Sequence, residues 1–500
     1  MKNKRKTSLY EKGITLVALV VTIIVLLILA GITIRLVLGQ NGLIKRATQA
    51  HETSTVAEKK EELDMAYGTA QMDKLSKGEN AKVSAIELNM ALAEEKIACS
   101  VQESGNEGEF LVTFDEDNAC FTYNSNNSSI TETEKMKTNW WDDYTYQLDD
   151  ENNKIVLTRY NGESSNAFIG SMAQIGGKQY STVIAKTEID ENENSIFKGT
   201  NATRINIQNG ITEIGNGAFT NCSNIVSVSI PSSVKTIKAE AFNKCNNLKT
   251  LYIPEGTETI ETGAIHNGLS SLESVYIPTT VTSLGTNFFK DLDSLKTAVI
   301  GAREISVGSF SSATALQKLT FLEGVEIISN SAFAPMTSLK ELKLPSTIKR
   351  IENAAFGSCT SLEKLEIPKA DFVGNGAFSS CSSLKELTIG AKEISYGMFS
   401  YLSNLDKVTL LEGVEKIYSS FVKTNIKQIV LPNSIKEITY ASFSDCNQLT
   451  DITIPNGIQT LSKSAFKISG DEYLKTNLHT TSPVALNYDW NSAKRIINNS

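Results

Sequence analysis

The sequence predicts a repeat solenoid built on a parallel β-ladder, preceded by an N-terminal transmembrane helix and a small α+β head. Three observations predict it. From about Ile205 a short motif recurs at spacings of 21 to 24 residues. Seven of the nine prolines stand at one place in that motif, and five of the seven cysteines at another. Ahead of the periodic region, Ile14 to Ile34 is a run of 21 residues without a charge.

That run comes first in the chain. With Leu36-Val37-Leu38 beyond Arg35, residues 14–38 make a helix of about 37 Å, long enough to cross a ~30 Å hydrocarbon core with tilt. Residues 1–13 form a basic leader with Lys2, Lys4, Arg5, Lys6 and Lys12 against Glu11. The excess of positive charge keeps the N-terminus cytoplasmic and sends the rest of the chain outward. A secretory signal peptide is the competing reading. It fits less well, because the apolar run exceeds the usual 7–15 residues and no small-x-small site follows closely.

Residues 39–75 continue as a helical extension without proline. Ala47, Ala50, Ser54 and Ala57 form a small-residue seam along it. Residues 76–124 read as the head, with a helix over Ala85–Ala98 and a hairpin pairing Phe110–Phe114 with Ala119–Tyr123. Residues 125–139, rich in Asn, Ser, Thr and Glu, read as a linker. Residues 140–204 hold a second hairpin, Tyr144–Leu148 with Lys154–Tyr160, and a degenerate first repeat around Ser195-Ile196-Phe197.

Residues 205–466 carry the repeats, and 467–500 close the array. The unit runs L-x-I-P, then V/I, I, A-F, C and L. Its anchor aromatic falls at Phe219, Phe242, Phe289, Phe310, Phe333, Phe356, Phe378, Phe399, Phe421, Phe443 and Phe466, with Ile265 filling one place. These make twelve repeats. IGAREISVGSF from Ile300 returns as IGAKEISYGMF from Ile389, which points to duplication of a four-repeat block. A unit this short cannot bury its own apolar face, so it stacks on its neighbours. Alternation in L-x-I makes a strand with both apolar residues inward, and the proline stops it. Successive strands then form a parallel ladder with about 4.8 Å between rungs.

Two resemblances rest on these residues. The I-P, A-F and C recurrence over residues 140–490 resembles the BspA-type leucine-rich repeats of bacterial surface proteins, and Tyr160-Asn161-Gly162 and Tyr488-Asp489-Trp490 look like that family's caps. The N-terminus is similar to a type IV prepilin: Gly13 matches the glycine before the cleavage point and Ile14 the first mature residue. Where pilins usually carry Phe and Glu, this chain has Ile14 and Ala18.

No catalytic set is read from the sequence. His51, His266 and His479 are the three histidines, and none falls in a motif that positions a base. The acidic runs Asp149-Asp150-Glu151 and Glu188 to Glu193 lack the D-x-D-x-D-G pattern of a calcium loop. Gly215-Asn216-Gly217 and Gly374-Asn375-Gly376 precede Ala-Phe and read as turns rather than phosphate loops. No metal and no cofactor is expected. The net charge of −8 argues against a nucleic-acid partner. Cys222, Cys245, Cys359, Cys381 and Cys446 read as a buried ladder. Cys99 and Cys120, both in the head, are a candidate disulfide that spacing leaves open.

Two outward stripes remain. Lys318, Glu341, Lys364, Glu386 and Lys407 alternate in sign and read as a register-fixing charge ladder. The x position places Tyr252 and Tyr276 on neighbouring rungs, a candidate binding surface. The expectation is a non-enzymatic, adhesin-like cell-surface protein. It would be a single-pass membrane protein, with most of the chain outside the cell and a protein or glycan ligand on the solenoid. The alternative is a minor pilin-like subunit that assembles with other pilin-like subunits and displays the solenoid on a filament.

Overall fold

The computed structural model describes residues 51–77, 82–104, 106–116, 119–133, 136–185, 195–265, 268–289, 292–311, 313–468, 477–487 and 495–497. The leader with Gly13 and Ile14, the apolar run 14–38, the run Glu188 to Glu193, His266 and Tyr488-Asp489-Trp490 lie outside the described residues. Among the described residues no helix is long and apolar enough to cross a membrane.

The chain divides into two compact units, residues 1–65 and 66–500. Helix α1 (His51–Ser76) begins in the first and ends in the second. In the first unit Lys60 and Asp64, one turn apart, form an ion pair at 2.6 Å. Ala57, the last member of the expected small-residue seam, is exposed.

In the second unit the head is an antiparallel meander of β1 (Cys99–Glu103), β2 (Glu109–Phe114), β3 (Cys120–Asn124) and β4 (Ser129–Glu132), with α2 (Ala85–Glu94) against β1. Ser84 starts α2 with a capping box, its hydroxyl on the Glu87 amide and the Glu87 carboxylate on the Ser84 amide. The helix ends four residues before the expected Ala98, at Glu94, and Lys96 turns through a left-handed conformation (φ 62°) into β1. Asn89 bonds the β1 edge from the helix: its amide donates to Val101 O at 2.7 Å and accepts from Val101 N at 2.8 Å. Strand β4 corrects the linker expected over 125–139. Ile130 and Thr131 pair with Tyr123 and Thr122, because the turn at 125–128 returns the chain onto β3.

The sheet has two buried faces of different chemistry. Val101, Phe110, Val112, Phe114, Phe121 and Tyr123 form the head's core, with Tyr67 of α1 at 6.0 Å from Phe110. Ser100, Gln102, Thr113 and Cys120 lie on the opposite face, and all are buried.

The hairpin of β5 (Tyr144–Asp149) and β6 (Lys154–Tyr160) opens the solenoid. The parallel ladder begins at β7 (Asn166–Ile169), which pairs with Arg204–Ile207. Trp140 packs edge-on against Tyr144, and Tyr144 (edge-on) and Tyr160 (tilted) meet Phe197, which continues onto Phe219 at 6.0 Å. Phe197 thus heads the phenylalanine column, one rung before the regular repeats.

Each rung then contributes two parallel strands: a main strand of three or four residues at L-x-I and a two-residue strand before the A-F turn. The main ladder continues past the last repeat through Asn477–His479 and Arg495–Ile497. From Phe310 to Phe466 the anchor rings stack within 15° of parallel, 4.8 to 5.9 Å apart. Ile265 leaves no ring in its rung. The amide of an anchor Phe donates to the carbonyl of the Ala or Ser before the next anchor, as from Phe356 to Ala377 at 2.8 Å. The ladder is therefore bonded at its turns as well as its strands.

The cysteines complete that bonding. Cys245, Cys381 and Cys446 donate to the carbonyls of Phe219, Phe356 and Phe421 on the preceding rung at 3.1, 3.5 and 2.9 Å. A small thiol at this position fills the core and satisfies a buried carbonyl together. Gly374-Asn375-Gly376 is a turn: Gly376 is left-handed (φ +60°), and a Cβ on Gly374 would lie 2.6 Å from Asn353 N.

Charge marks the edges of both ladders. In the main ladder Glu341, Lys364, Glu386 and Lys407 are direct neighbours, with Lys407 and Glu386 paired at 3.3 Å. A second row precedes the two-residue strands: Arg303, Glu326, Lys349, Asp371, Lys392, Glu415 and Lys436 alternate in sign on consecutive rungs. Glu326 bridges Arg303 at 3.0 Å and Lys349 at 2.8 Å, and Lys436 meets Glu415 at 3.1 Å.

Candidate binding surfaces

The x position of each main strand points away from the solenoid core, as the alternation requires. The structure aligns Tyr252 with Tyr276 and then with Val299 and Thr320 on successive strands. The two tyrosine rings stack with centroids 4.8 Å apart. They are not a free surface, however. Tyr252 is 7% exposed and Tyr276 4%, because Ile86 of α2 packs on them with Val299, flanked by Met90 and Leu322. The chain's own head covers the candidate site. Burial raises both phenols well above the ordinary tyrosine value, and the Tyr276 hydroxyl donates to Glu255 at 2.9 Å.

The polar face of the head sheet supplies the rest of this contact. Ser100 meets Ser229 hydroxyl to hydroxyl. Thr113 donates to Asn206 Oδ1 at 3.2 Å, and Arg204 reaches Ser104 O at 3.3 Å. Asp115 takes two hydrogen bonds from Ser232. Lys318 closes the far side at 3.7 Å from Glu87. Glu87 is partly buried, which opposes ionisation, yet bonds from Ser84 and Lys74 hold its carboxyl below the ordinary value. A cavity of about 20 Å³ lies in the seam, lined by Gln102, Thr113, Asn166 and Arg204 among others, which is room for a water rather than an organic ligand.

Beyond the head the same stripe changes character. Lys343, Thr409 and Val430 are exposed, Val430 by 66%. The stripe under the head is uncharged from Asn206 to Val299, and the stripe beyond it acquires Lys343 and Glu366. That contrast was a readable signal of the covered region.

The candidate disulfide is not formed. Cys99 pairs with Phe114 and Cys120 with Thr113, so β2 runs between them and they project from opposite faces of the sheet. Two strand spacings, about 9.6 Å, exceed what a disulfide bridges. His479 lies on the strand after Asp451, 3.4 Å from its carboxylate. Bonds from Asn477 and Thr450, with His479 adding a smaller effect, hold the Asp451 carboxyl low. Among the described residues no group of three His, Cys, Asp or Glu could hold a metal ion.

One surface was missed from sequence. Three residues before the anchor, the repeat carries Asn216, Ala239, Thr262, Thr286, Val307, Asn330, Asn353, Asn375 and Lys463, none of them aromatic. On the rungs anchored by Phe399, Phe421 and Phe443 the same place holds Tyr396, Tyr418 and Tyr440. Tyr396 is 44% exposed and Tyr440 58%, and the Tyr396 and Tyr418 rings meet at 4.6 Å. Tyr401, on the other side of the same turn, is 68% exposed with Lys423 over its ring. Comparing equivalent positions across the repeats would have found this row.

The BspA type Leucine rich repeat region model matches residues 175–302, 303–422 and 418–482. No curated protein matches the chain. Among solved structures, a leucine-rich repeat protein from Bacteroides ovatus is 22% identical, over 71% of this chain and 98% of that one, with a TM-score of 0.44. A leucine rich cell surface protein from Faecalibacterium prausnitzii is also 22% identical, over 71% and 97%, with a TM-score of 0.30. The pneumococcal vaccine antigen PcpA is 17% identical, over 74% and 99%, with a TM-score of 0.26.

Proposed function

The chain belongs to the BspA-type leucine-rich repeat family, and on that footing we propose that it is an adhesin-like surface protein that works by binding rather than catalysis. Residues 14–38 would anchor it in the membrane, with the solenoid outside the cell and carrying the ligand. The observation that supports this most is the sheet face beyond the head. From Lys343 to Thr409 four parallel main strands stay bonded in one ladder, Val430 stands on the next sheet, and the chain covers Lys343, Thr409 and Val430 with nothing of its own among the described residues. Solenoids generally bind through such extended surfaces. The test is adherence of cells displaying the full chain to matrix proteins, bacterial surfaces and glycans. Adherence no greater than that of cells without the chain, across the whole panel, overturns the reading.

A second reading makes the chain a minor pilin-like subunit. It is supported by the sequence likeness at Gly13 and Ile14 and by the helix α1, which follows the apolar run in sequence and leads into a four-stranded antiparallel head. A mature N-terminus at Ile14 with the protein in sheared filaments supports it. An intact Met1 removes it.

A further inference from the structure

We propose that the tyrosine row of the rungs anchored by Phe399, Phe421 and Phe443 is a binding platform for a neutral glycan. The proposal rests on the binding reading and names the ligand class and the site.

The repeats act as their own control. The nine other rungs fold with Asn, Ala, Thr, Val or Lys at the place of Tyr396, Tyr418 and Tyr440, so the solenoid does not require an aromatic there. Large rings exposed where packing does not ask for them mark an interaction surface. The clustering is sharp: Phe372, Tyr396, Tyr401 and Tyr440 are the exposed large aromatics among the described residues, and all fall within four consecutive rungs.

Geometry and charge choose the ligand. One tyrosine per rung on three consecutive rungs makes an aromatic row, with the Tyr396 and Tyr418 rings 4.6 Å apart. Tyr396 and Tyr440 stand exposed to solvent, and exposed rings suit successive sugar units better than a peptide side chain that needs a pocket. Aromatic faces are electron-rich and attract the polarised C–H groups of a sugar. The nearby charges balance: Glu393 and Glu437 against Lys416 and Lys423. Lys416 is held by Glu437 at 2.7 Å and sits over Tyr418, while the Tyr418 hydroxyl donates to Glu393 at 3.4 Å. A nucleic acid or sulfated chain needs an excess of cations, which this row lacks. A neutral polyhydroxyl chain needs exposed aromatic and hydrogen-bonding groups, and the phenols of Tyr396 and Tyr440 supply both.

The experiment titrates the full chain in detergent with chitohexaose, cellohexaose and mannohexaose by calorimetry, with heparin and a single-stranded oligothymidylate as charged probes. At least one neutral hexasaccharide should bind saturably. The double substitution Tyr396→Ala with Tyr440→Ala should weaken it tenfold or more and leave the unfolding temperature unchanged, whereas Lys343→Ala should not alter it. Binding of none of the three sugars, binding indifferent to the double substitution, or row-dependent binding of a charged probe overturns the proposal. Cells whose adherence survives the double substitution keep the general binding reading and lose this site.

Discussion

Asp115 of the head accepts two hydrogen bonds from Ser232 of the solenoid, from the backbone N at 2.9 Å and from Oγ at 2.6 Å. The residues are 117 apart in sequence, and Asp115 is buried. The carboxylate ties the β2 end of the head to the loop that follows a main strand. Replacing it by alanine leaves a Ser232 amide unpaired in the contact, at about 1–3 kcal/mol. Asp115→Ala should speed hydrogen exchange at Ser232 while exchange deep in the phenylalanine column stays slow. Unchanged exchange at Ser232 would show that the head is held without this bond.

The stacked tyrosines make a second test of the same contact. Tyr276→Ala removes a ring that is almost wholly buried, at about 2–5 kcal/mol by analogy with other large-to-small changes. Tyr276→Phe keeps the ring and loses only the bond to Glu255, about 1 kcal/mol. Denaturant titration followed by limited proteolysis at residues 125–139 should rank them in that order. Equal effects would mean that the hydroxyl, not the stack, holds the head.

Within the solenoid, Phe356 has Phe333 at 5.1 Å and Phe378 at 5.3 Å, each within 3° of parallel. Phe356→Ala should cost about 3–5 kcal/mol. Phe356→Ile should cost less, since Ile265 occupies the equivalent place. Because stacked repeats depend on their neighbours, the alanine variant should open adjacent rungs first, read by hydrogen exchange.

The cysteines give a pH dependence. Burial pushes the Cys446 thiol from an ordinary value of 9.0 up to about 11, and Cys222 up to about 12. Above pH 9 the unfolded chain loses these protons and the folded chain keeps them. Stability is therefore unaffected below pH 9 and falls as pH rises toward 11 and 12. Cys446→Ala should make that fall shallower, measured by urea titration at pH 8, 9.5 and 10.5. An identical slope would remove the thiol from the cause.

Much of the solenoid was legible because each rung repeats the same demand. Phenylalanine fills the column, cysteine reaches the previous rung's carbonyl, and proline ends the strand, so one pattern is written many times. The head's contact with the sheet is written once, by residues 93 or more positions apart, and Tyr252 and Tyr276 looked like free anchors for that reason. Strand β4 was missed because an exposed edge strand of Ser, Ile, Thr and Glu carries little apolar alternation. Cys99 and Cys120 needed the register, which fixes the face of each residue and cannot be had from spacing.

The alternating row from Arg303 to Lys436 gives the array a parity. A block of four rungs separates Ile300 from its copy at Ile389, and after four rungs the sign returns: Glu415 stands next to Lys392 as Glu326 stands next to Arg303. An insertion or deletion of one or three rungs would instead set like charges side by side at the joint, which is unfavourable between neighbouring strands. Within Arg303 to Lys436, changes of two or four rungs pass without that penalty, so the row favours even steps.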